Sequence, residues 1–474
     1  MTVAILHYHL RRGGVTRVIE GQSQALSNAG IRHIIAAGTP YTGNRSLPTL
    51  VEENLGYRDE NNPPLDAETL LSNLENALHK ILGTLPDIWH IHNHSLGKNS
   101  VYTEMVTLLA KKGKKVLLQL HDFAEDGRPA NFKNLKGLDE IYPIAPHVHY
   151  GLINSRDQEF LHAAGLPQDH LHALPNPVTP PTIEHFETEA SSPILLYPVR
   201  GIRRKNLGEL CLLAALAPQG TKVAVSLPPE NEQWQPIHDR WGAFAKERDI
   251  PLELAVVGRI PPIEGAETNF QSWLSHSTHL VTTSIAEGFG LAFLEPVALG
   301  KPLIGRDLPK ITKDFKETGL QLGKLYQKIP IPLELLDLES LRTQMENDVT
   351  RAYQNYQRNL TPEIIERTWH NLTQDNTIDF GNLPESFQES VIKIALSDPN
   401  QLPFTNWIKE ALQTRTPSST PSDLTSYTLE TYQKRLLDIY SNLAPSNQAP
   451  LKFLPKENIL NQFLKPEQFH FLRT

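Results

Sequence analysis

Residues Glu287 to Glu295 read EGFGLAFLE and stand inside a strand–loop–helix–strand unit, the local pattern that most restricts the fold. His279 to Thr283 (HLVTT) is a short β-prone run, and Ser284 to Gly290 turns the chain. Leu291 to Leu299 reads as a helix closed by Gly300, and Lys301 to Ile304 begins another strand. The loop lies at a strand's carboxyl end, where open α/β sheets bind ligands. Two carboxylates flank a Gly-Phe-Gly turn at the mouth of a helix. Unbonded N–H groups there attract anions, and carboxylates accept hydrogen bonds from sugar or ribose hydroxyls. Amides for a diphosphate, with carboxylates for two polyols, suit a nucleotide-sugar.

The same alternation recurs along the chain. In the first half, strands are expected at Val3–His7, His33–Ala36, Asp87–His92, Val116–Leu120, Tyr150–Asn154 and His172–Leu174. Helices are expected after Gly13-Gly14, near Ala67–Leu82 and at Val101–Ala110. The first of them has Val15, Val18, Ile19, Gln22, Ala25 and Leu26 at helical spacing, with only Gln22 polar. The pattern restarts with strand Ile194–Val199, helix Leu207–Leu216, strand Lys222–Ser226, helix Asn231–Glu247 and strand Leu252–Val257. Alternating strands and helices imply parallel sheets covered on both faces. We therefore expect an α/β protein of two Rossmann-like domains, residues 1–179 and 193–330. A polar, Pro-containing linker at 180–192 would join them, and 331–474 would form a mainly helical extension. Its clearer helices are Leu333–Leu360 and Leu424–Leu443, and its last, Glu457–Phe471, would return to the N-terminal domain.

Composition narrows the function classes. The 474 residues are 39% hydrophobic and 21% charged, enough to bury full cores. A net charge of −8 argues against non-specific nucleic-acid binding. With a single cysteine, Cys211, the chain holds no internal disulfide, which suits a reducing compartment. No signal peptide is evident, because His7, His9, Arg11 and Arg12 follow the first apolar residues at once. No apolar run is long enough to span a membrane. A cytoplasmic protein is expected. Lys111, Lys112, Lys114 and Lys115 read as a solvated helix end, not as a membrane contact.

Other residues carry candidate chemistry. Arg200 ends a strand in YPVRGIRRKNLGEL, and Lys205 stands near the start of the next helix. Two cations there suit a diphosphate, although a solvated basic turn has the same composition. Gly13 and Gly14 follow the first strand, where glycines let backbone approach a ligand. Arg11 and Arg12 beside them would suit an anionic acceptor. His121-Asp122 follows strand Val116–Leu120 directly. His90, His92 and His94 alternate on one face of an extended segment. Three histidines can hold zinc, but no fourth ligand is obvious.

The E-x7-E segment, its Pro-x-Ala-x-Gly-Lys-Pro continuation and the Arg200…Lys205 pair resemble the retaining glycosyltransferases of family 4, which have the GT-B architecture. The resemblance covers about residues 1–315. It implies two Rossmann-like domains facing a cleft and a hexosyltransferase-type enzyme (EC 2.4). Such an enzyme moves a sugar from a nucleotide-diphosphate sugar to an acceptor hydroxyl with retention. It further implies that Arg200 and Lys205 hold the donor diphosphate. Glu287 would face the donor sugar and Glu295 the ribose, with Phe289, Gly290 and Leu291 supplying amides. His121 would contact the sugar, and Gly13 and Gly14 would lie over the donor phosphates. No metal or other cofactor is expected. The segment Gly265–Ser277 departs from the family pattern, which leaves the donor base open. A nucleotide-sugar isomerase or phosphorolytic enzyme on the same fold, and a non-catalytic partner protein, are the alternative readings.

Overall fold

The computed structural model describes residues 1–58, 61–179, 192–402, 404–444 and 450–473. Apart from Ser192, the expected linker lies outside the described residues. The chain divides into two compact units. The first comprises Met1–Pro177, Asn355–Arg358 and Thr425–Lys465, and the second the remainder. The segment 331–474, which the sequence suggests as one extension, therefore contributes to both.

In the first unit the order is β1 (Thr2–His7), α1 (Gly14–Asn28), β2 (Arg32–Ala37), β3 (Thr49–Val51), α2 (Ala67–Leu82) and β4 (Ile88–His92). Then come α3 (Ser100–Lys111), β5 (Lys115–Leu120), α4 (Pro129–Lys133), β6 (Tyr142–Ile144), β7 (Val148–Leu152), α5 (Ser155–Ala164) and β8 (Leu171–Ala173). Seven strands form one sheet in the order β3-β2-β1-β4-β5-β7-β8, and every pairing is parallel. Alternate residues of β1 feed two cores, Ala4 and Leu6 on one face, Val3 and Ile5 on the other. Helix boundaries follow local chemistry. Asp66 caps α2 by accepting from Thr69 N–H at 2.7 Å, and Gly83 ends it at φ 75°. Asn99 and Asn154 cap α3 and α5 in the same way.

The second unit opens with β9 (Ile194–Arg200), α6 (Leu207–Leu216), β10 (Lys222–Leu227), α7 (Gln235–Glu247), β11 (Leu252–Glu253), α8 (Phe270–His276) and β12 (His279–Thr282). It continues through α9 (Leu291–Ala298), β13 (Leu303–Arg306), α10 (Pro309–Glu317) and β14 (Lys324–Tyr326). Its six-stranded sheet runs β11-β10-β9-β12-β13-β14, again all parallel. Numbered within the unit this is 3-2-1-4-5-6, the Rossmann order. Helix α6 is apolar on nearly every side because it is covered on nearly every side, with Cys211 a buried free thiol within it. Strands β15 (Pro330–Pro332) and β16 (Thr377–Asp379) pair antiparallel. They enclose α11 (Leu338–Asn355) and α12 (Pro362–Leu372), and α13 (Glu385–Ser397) and α14 (Trp407–Ala411) follow.

Buried Arg306 ties this helical part to the sheet. Its guanidinium donates to Glu209 at 2.5 and 2.7 Å and to Asp379 at 2.7 and 3.0 Å. Helix α15 (Leu429–Asn442), strand β17 (Lys452–Leu454) and helix α16 (Lys456–Phe463) then complete the first unit. Tyr432, Leu436, Ile439 and Tyr440 of α15 pack with Val3, Ile5 and Ile19 in one core, and β17 pairs with β6.

Several expected boundaries shift for visible reasons. Ala255 at φ 53° stops the strand expected through Val257 after only two residues. The helix expected over Leu333–Leu360 begins at Leu338, because Leu333–Leu335 is a 3-10 turn followed by extended Leu336, and it ends before Gln357 at φ 56°. The helix expected at Asn231 starts as a 3-10 turn and becomes α-helical at Gln235, next to Pro236. The helix expected over Glu457–Phe471 stops at Phe463, three residues before Pro466. Among the described residues no helix is long and apolar enough to cross a membrane.

Candidate functional site

In the second unit, strand order reverses between β9 and β12, which are neighbours. Loops leaving adjacent strands on opposite sides of the sheet open a crevice at that point. Arg200 ends β9, the β9–α6 loop carries Gly201 through Asn206, and the β12–α9 loop carries Thr283 through Gly290. The two are bonded together. Thr283 Oγ1 donates to Lys205 O at 2.9 Å and to Asn206 O at 3.1 Å, and Ile285 N–H donates to Arg204 O at 3.0 Å.

Lys205 and Glu287 meet across these loops as an ion pair. Each side chain is only 10% exposed. Arg204 adds a second contact to Glu287 at 3.3 Å and donates to Ala286 O at 2.8 Å. Burial by itself would raise the Glu287 carboxyl, but Lys205 and then Arg204 outweigh it and hold it down to about 2. Burial lowers the Lys205 ammonium, with Glu287 and, more weakly, Glu295 opposing that effect. Asn206 adopts φ 50° and caps α6 with its side chain, which sets the direction of the preceding loop. Buried Tyr197 of β9 lies in the field of Glu287, a neighbour that sequence reasoning missed.

Arg200 is the last residue of β9, one position later than the strand end expected from the sequence, and it pairs at the surface with Glu230. Gly290 precedes α9 at φ 92°, and a Cβ there would lie 2.8 Å from Ile311 Cγ2. The amides that begin α9, at Leu291 and Ala292, have no intrahelical partner. Phe289 is buried edge-on to Phe315 with ring centroids 5.8 Å apart. Its ring anchors the turn. Glu295 stands one turn further along α9.

Gly13, Gly14 and His121 belong to the first unit, where the order reverses between β1 and β4. Gly13 is extended and Gly14 begins α1. A Cβ at Gly14 would meet nothing within 4 Å, so packing does not demand glycine there. Arg11 and Arg12 are exposed beside them. His121 follows β5, and its N–H donates to Asn93 Oδ1 at 2.8 Å. Asn93, at φ 54°, is a positioning residue that sequence reasoning missed; its place directly after β4 was the available signal.

The histidines do not converge as ligands. His90 Nε2 donates to Gln119 Oε1 at 2.9 Å, His92 stacks on His121 at 5.2 Å, and His94 Nε2 donates to Ile141 O at 2.9 Å. Among the described residues no cluster of three or more potential metal ligands occurs. A cavity of ≈ 740 Å³ in the first unit, lined by Asp66, Glu68, Glu104 and Lys111, contains none of the site residues above.

No family model matches the chain. Over its whole length the chain is similar to mannosylglucosyl-3-phosphoglycerate synthase of Petrotoga mobilis. The two are 23% identical over 521 residues, spanning 99% of this chain and 98% of that protein. Solved structures share its fold. The lipopolysaccharide outer core galactosyltransferase WaaB has a TM-score of 0.50 at 14% identity, covering 94% of this chain and 100% of that one. Anabaena HepE in complex with UDP has a TM-score of 0.50 at 11% identity, covering 93% and 100%. A Rickettsia africae glycosyltransferase has a TM-score of 0.50 at 12% identity, covering 94% and 99%. The two Rossmann-like units have the fold of GT-B glycosyltransferases.

Proposed function

We propose that this chain is a retaining glycosyltransferase of the hexosyltransferase type, taking a sugar from a nucleoside-diphosphate sugar and passing it to an acceptor hydroxyl. The observation that carries the reading is the Lys205–Glu287 pair at the strand-order reversal, beside the start of α9. In this reading Arg200, Lys205 and the amides of Phe289, Gly290 and Leu291 receive the diphosphate. Glu295 accepts from the ribose hydroxyls and Glu287 from the donor sugar. Cations and helix-start amides stabilise the charge that develops on the departing phosphate, the electrostatic form of catalysis. That phosphate takes the acceptor proton on the same face, so no side-chain base is required. In this reading His121 contacts a donor-sugar hydroxyl, and the Gly13-Gly14 backbone approaches the donor phosphates. No metal takes part.

The acceptor is anionic in this reading. Its supports are exposed Arg11 and Arg12 and the relative whose name describes a product bearing 3-phosphoglycerate. The HepE–UDP complex supports a nucleotide donor. A cytoplasmic setting goes with the one cysteine being a buried free thiol. The test is turnover of UDP-, GDP- and ADP-sugars with a phosphoglycerate-bearing acceptor, scored by product anomer. Transfer lost in Lys205→Ala and Glu287→Ala is expected; transfer unchanged in both defeats the reading.

A further inference from the structure

Behind His121 the first unit buries a line of polar side chains that the reading above does not use. Gln22, the one polar residue on the apolar stripe of α1, lies fully buried between His90 and His92 of β4. Its Nε2–H contacts His90 Nδ1, and its Oε1 is 3.0 Å from His92 Nε2. His90 Nδ1 is also 2.7 Å from the Tyr440 hydroxyl, and His90 Nε2 is 2.9 Å from Gln119 Oε1. At the near end, His92 Nδ1 is 2.9 Å from His121 Nε2. His90 stacks on His92 at 4.8 Å.

These contacts have one polarity. A neutral imidazole carries one N–H, and an amide oxygen only accepts. His90 Nε2 therefore donates to Gln119, and His90 Nδ1 accepts from Tyr440 and Gln22. Gln22 Oε1 then receives the His92 Nε2–H, which leaves His92 Nδ1 as an acceptor. The proton between His92 and His121 must belong to His121 Nε2. Its other nitrogen, Nδ1, has no hydrogen-bond partner among the described residues. Burial keeps all three rings neutral near pH 7, holding His90 down to about 3, His92 well below its ordinary range and His121 at about 4, the last against the pull of Asp122.

We infer that His92 and Gln22, backed by His90, Gln119 and Tyr440, are positioning residues that fix His121 as its Nε2–H tautomer and present Nδ1 as an acceptor for a donor-sugar hydroxyl. The hydroxyl rests on the proposed function; the tautomer does not. An imidazole free to carry its proton on Nδ1 would instead oppose a hydroxyl that must donate. The relay also joins α1, which begins at Gly14, to His121, so two features singled out separately in the sequence share one support.

The test uses the full chain labelled with 15N-histidine, with His121 assigned by difference from His121→Gln. Long-range proton–nitrogen correlation reads which ring nitrogen is bare. The expected result is a protonated Nε2 and a bare Nδ1 in the wild type. His92→Gln keeps an acceptor toward His121 and a donor toward Gln22, so it retains that signature. His92→Leu mixes the tautomers and lowers kcat/KM for the donor about tenfold, the equivalent of one neutral hydrogen bond. A wild-type His121 protonated on Nδ1 overturns the relay, and the wild-type spectrum decides this even if His92→Leu does not fold. The expected tautomer together with full turnover in His121→Ala overturns the assignment of the sugar hydroxyl and leaves the relay standing.

Discussion

Lys205 and Glu287 lie 82 residues apart in sequence and close into one ion pair, each nearly shut off from water, at the carboxyl ends of two neighbouring strands. Such a pair is held by its environment. Removing Glu287 leaves the Lys205 charge buried without its partner, and removing Lys205 leaves buried Glu287 with only the 3.3 Å contact to Arg204. Glu287→Ala and Lys205→Ala should each lower unfolding free energy by about 3 kcal/mol. The double variant should lose clearly less than the sum. Urea denaturation of the four proteins checks this, and additive losses would show that the two charges do not depend on each other.

The same pair sets an acid limit. Glu287 is held at about 2 against an ordinary 4.5, so its folded state binds a proton less readily than its unfolded state. The stabilisation it provides is complete above pH 4.5 and is lost as pH falls through about 2. Across that window the wild type should lose more stability than Glu287→Gln. Parallel pH–stability curves for the two proteins would contradict the assignment.

Arg200 separates function from folding. Its partner Glu230 is 75% exposed and Arg200 itself 38%, so their pair adds little to stability. Arg200→Ala should change unfolding free energy by under about 1 kcal/mol. If Arg200 steadies the departing diphosphate, kcat should still fall by on the order of a hundredfold. Thermal melts and steady-state kinetics on one preparation distinguish this from a merely structural arginine.

Two glycines make opposite predictions. Gly290 has φ 92° and a blocked Cβ direction, so Gly290→Ala should cost roughly 1–3 kcal/mol. Gly14 has open space around its Cβ direction, and Gly14→Ala should fold as well as the wild type, within about 0.5 kcal/mol. A loss of turnover in Gly14→Ala without loss of stability would report a ligand approaching that backbone. Unchanged turnover would remove Gly14 from the site.

Arg11 and Arg12 test the acceptor. The double change to Ala should raise KM for a phosphate-bearing acceptor by about tenfold or more. A neutral analogue should be affected far less. Equal effects on charged and neutral acceptors would discard the anionic reading.

Much of this architecture is legible in the sequence because parallel strands and their covering helices have distinct periods. The range Ala67–Leu82 follows from an apolar stripe between an Asp cap and a Gly stop, and Leu207–Leu216 from a continuous apolar run. The Lys205 and Glu287 loops can be read because each follows a short β-prone run directly. Asn93, Tyr197 and the Gln22–His92–His121 line could not be read in the same way. Their meaning lies in contacts with residues distant in sequence, such as Asn93 with His121 and with Tyr8, 28 and 85 residues away. The irregular stops at Ala255 and Gln357 arise from single left-handed residues whose side chains give no warning. The Arg306–Glu209–Asp379 network joins three elements whose charged residues look solvated in sequence.

The most direct measurement is sugar transfer itself, with the purified full chain, a panel of UDP-, GDP- and ADP-sugars, and a phosphoglycerate-bearing acceptor. Product anomers would be read by NMR for the wild type, Lys205→Ala and Glu287→Ala. The account predicts transfer from one nucleotide donor with the anomeric configuration retained, and loss of that transfer in both variants. Inverted product, or transfer that survives both substitutions, would contradict it.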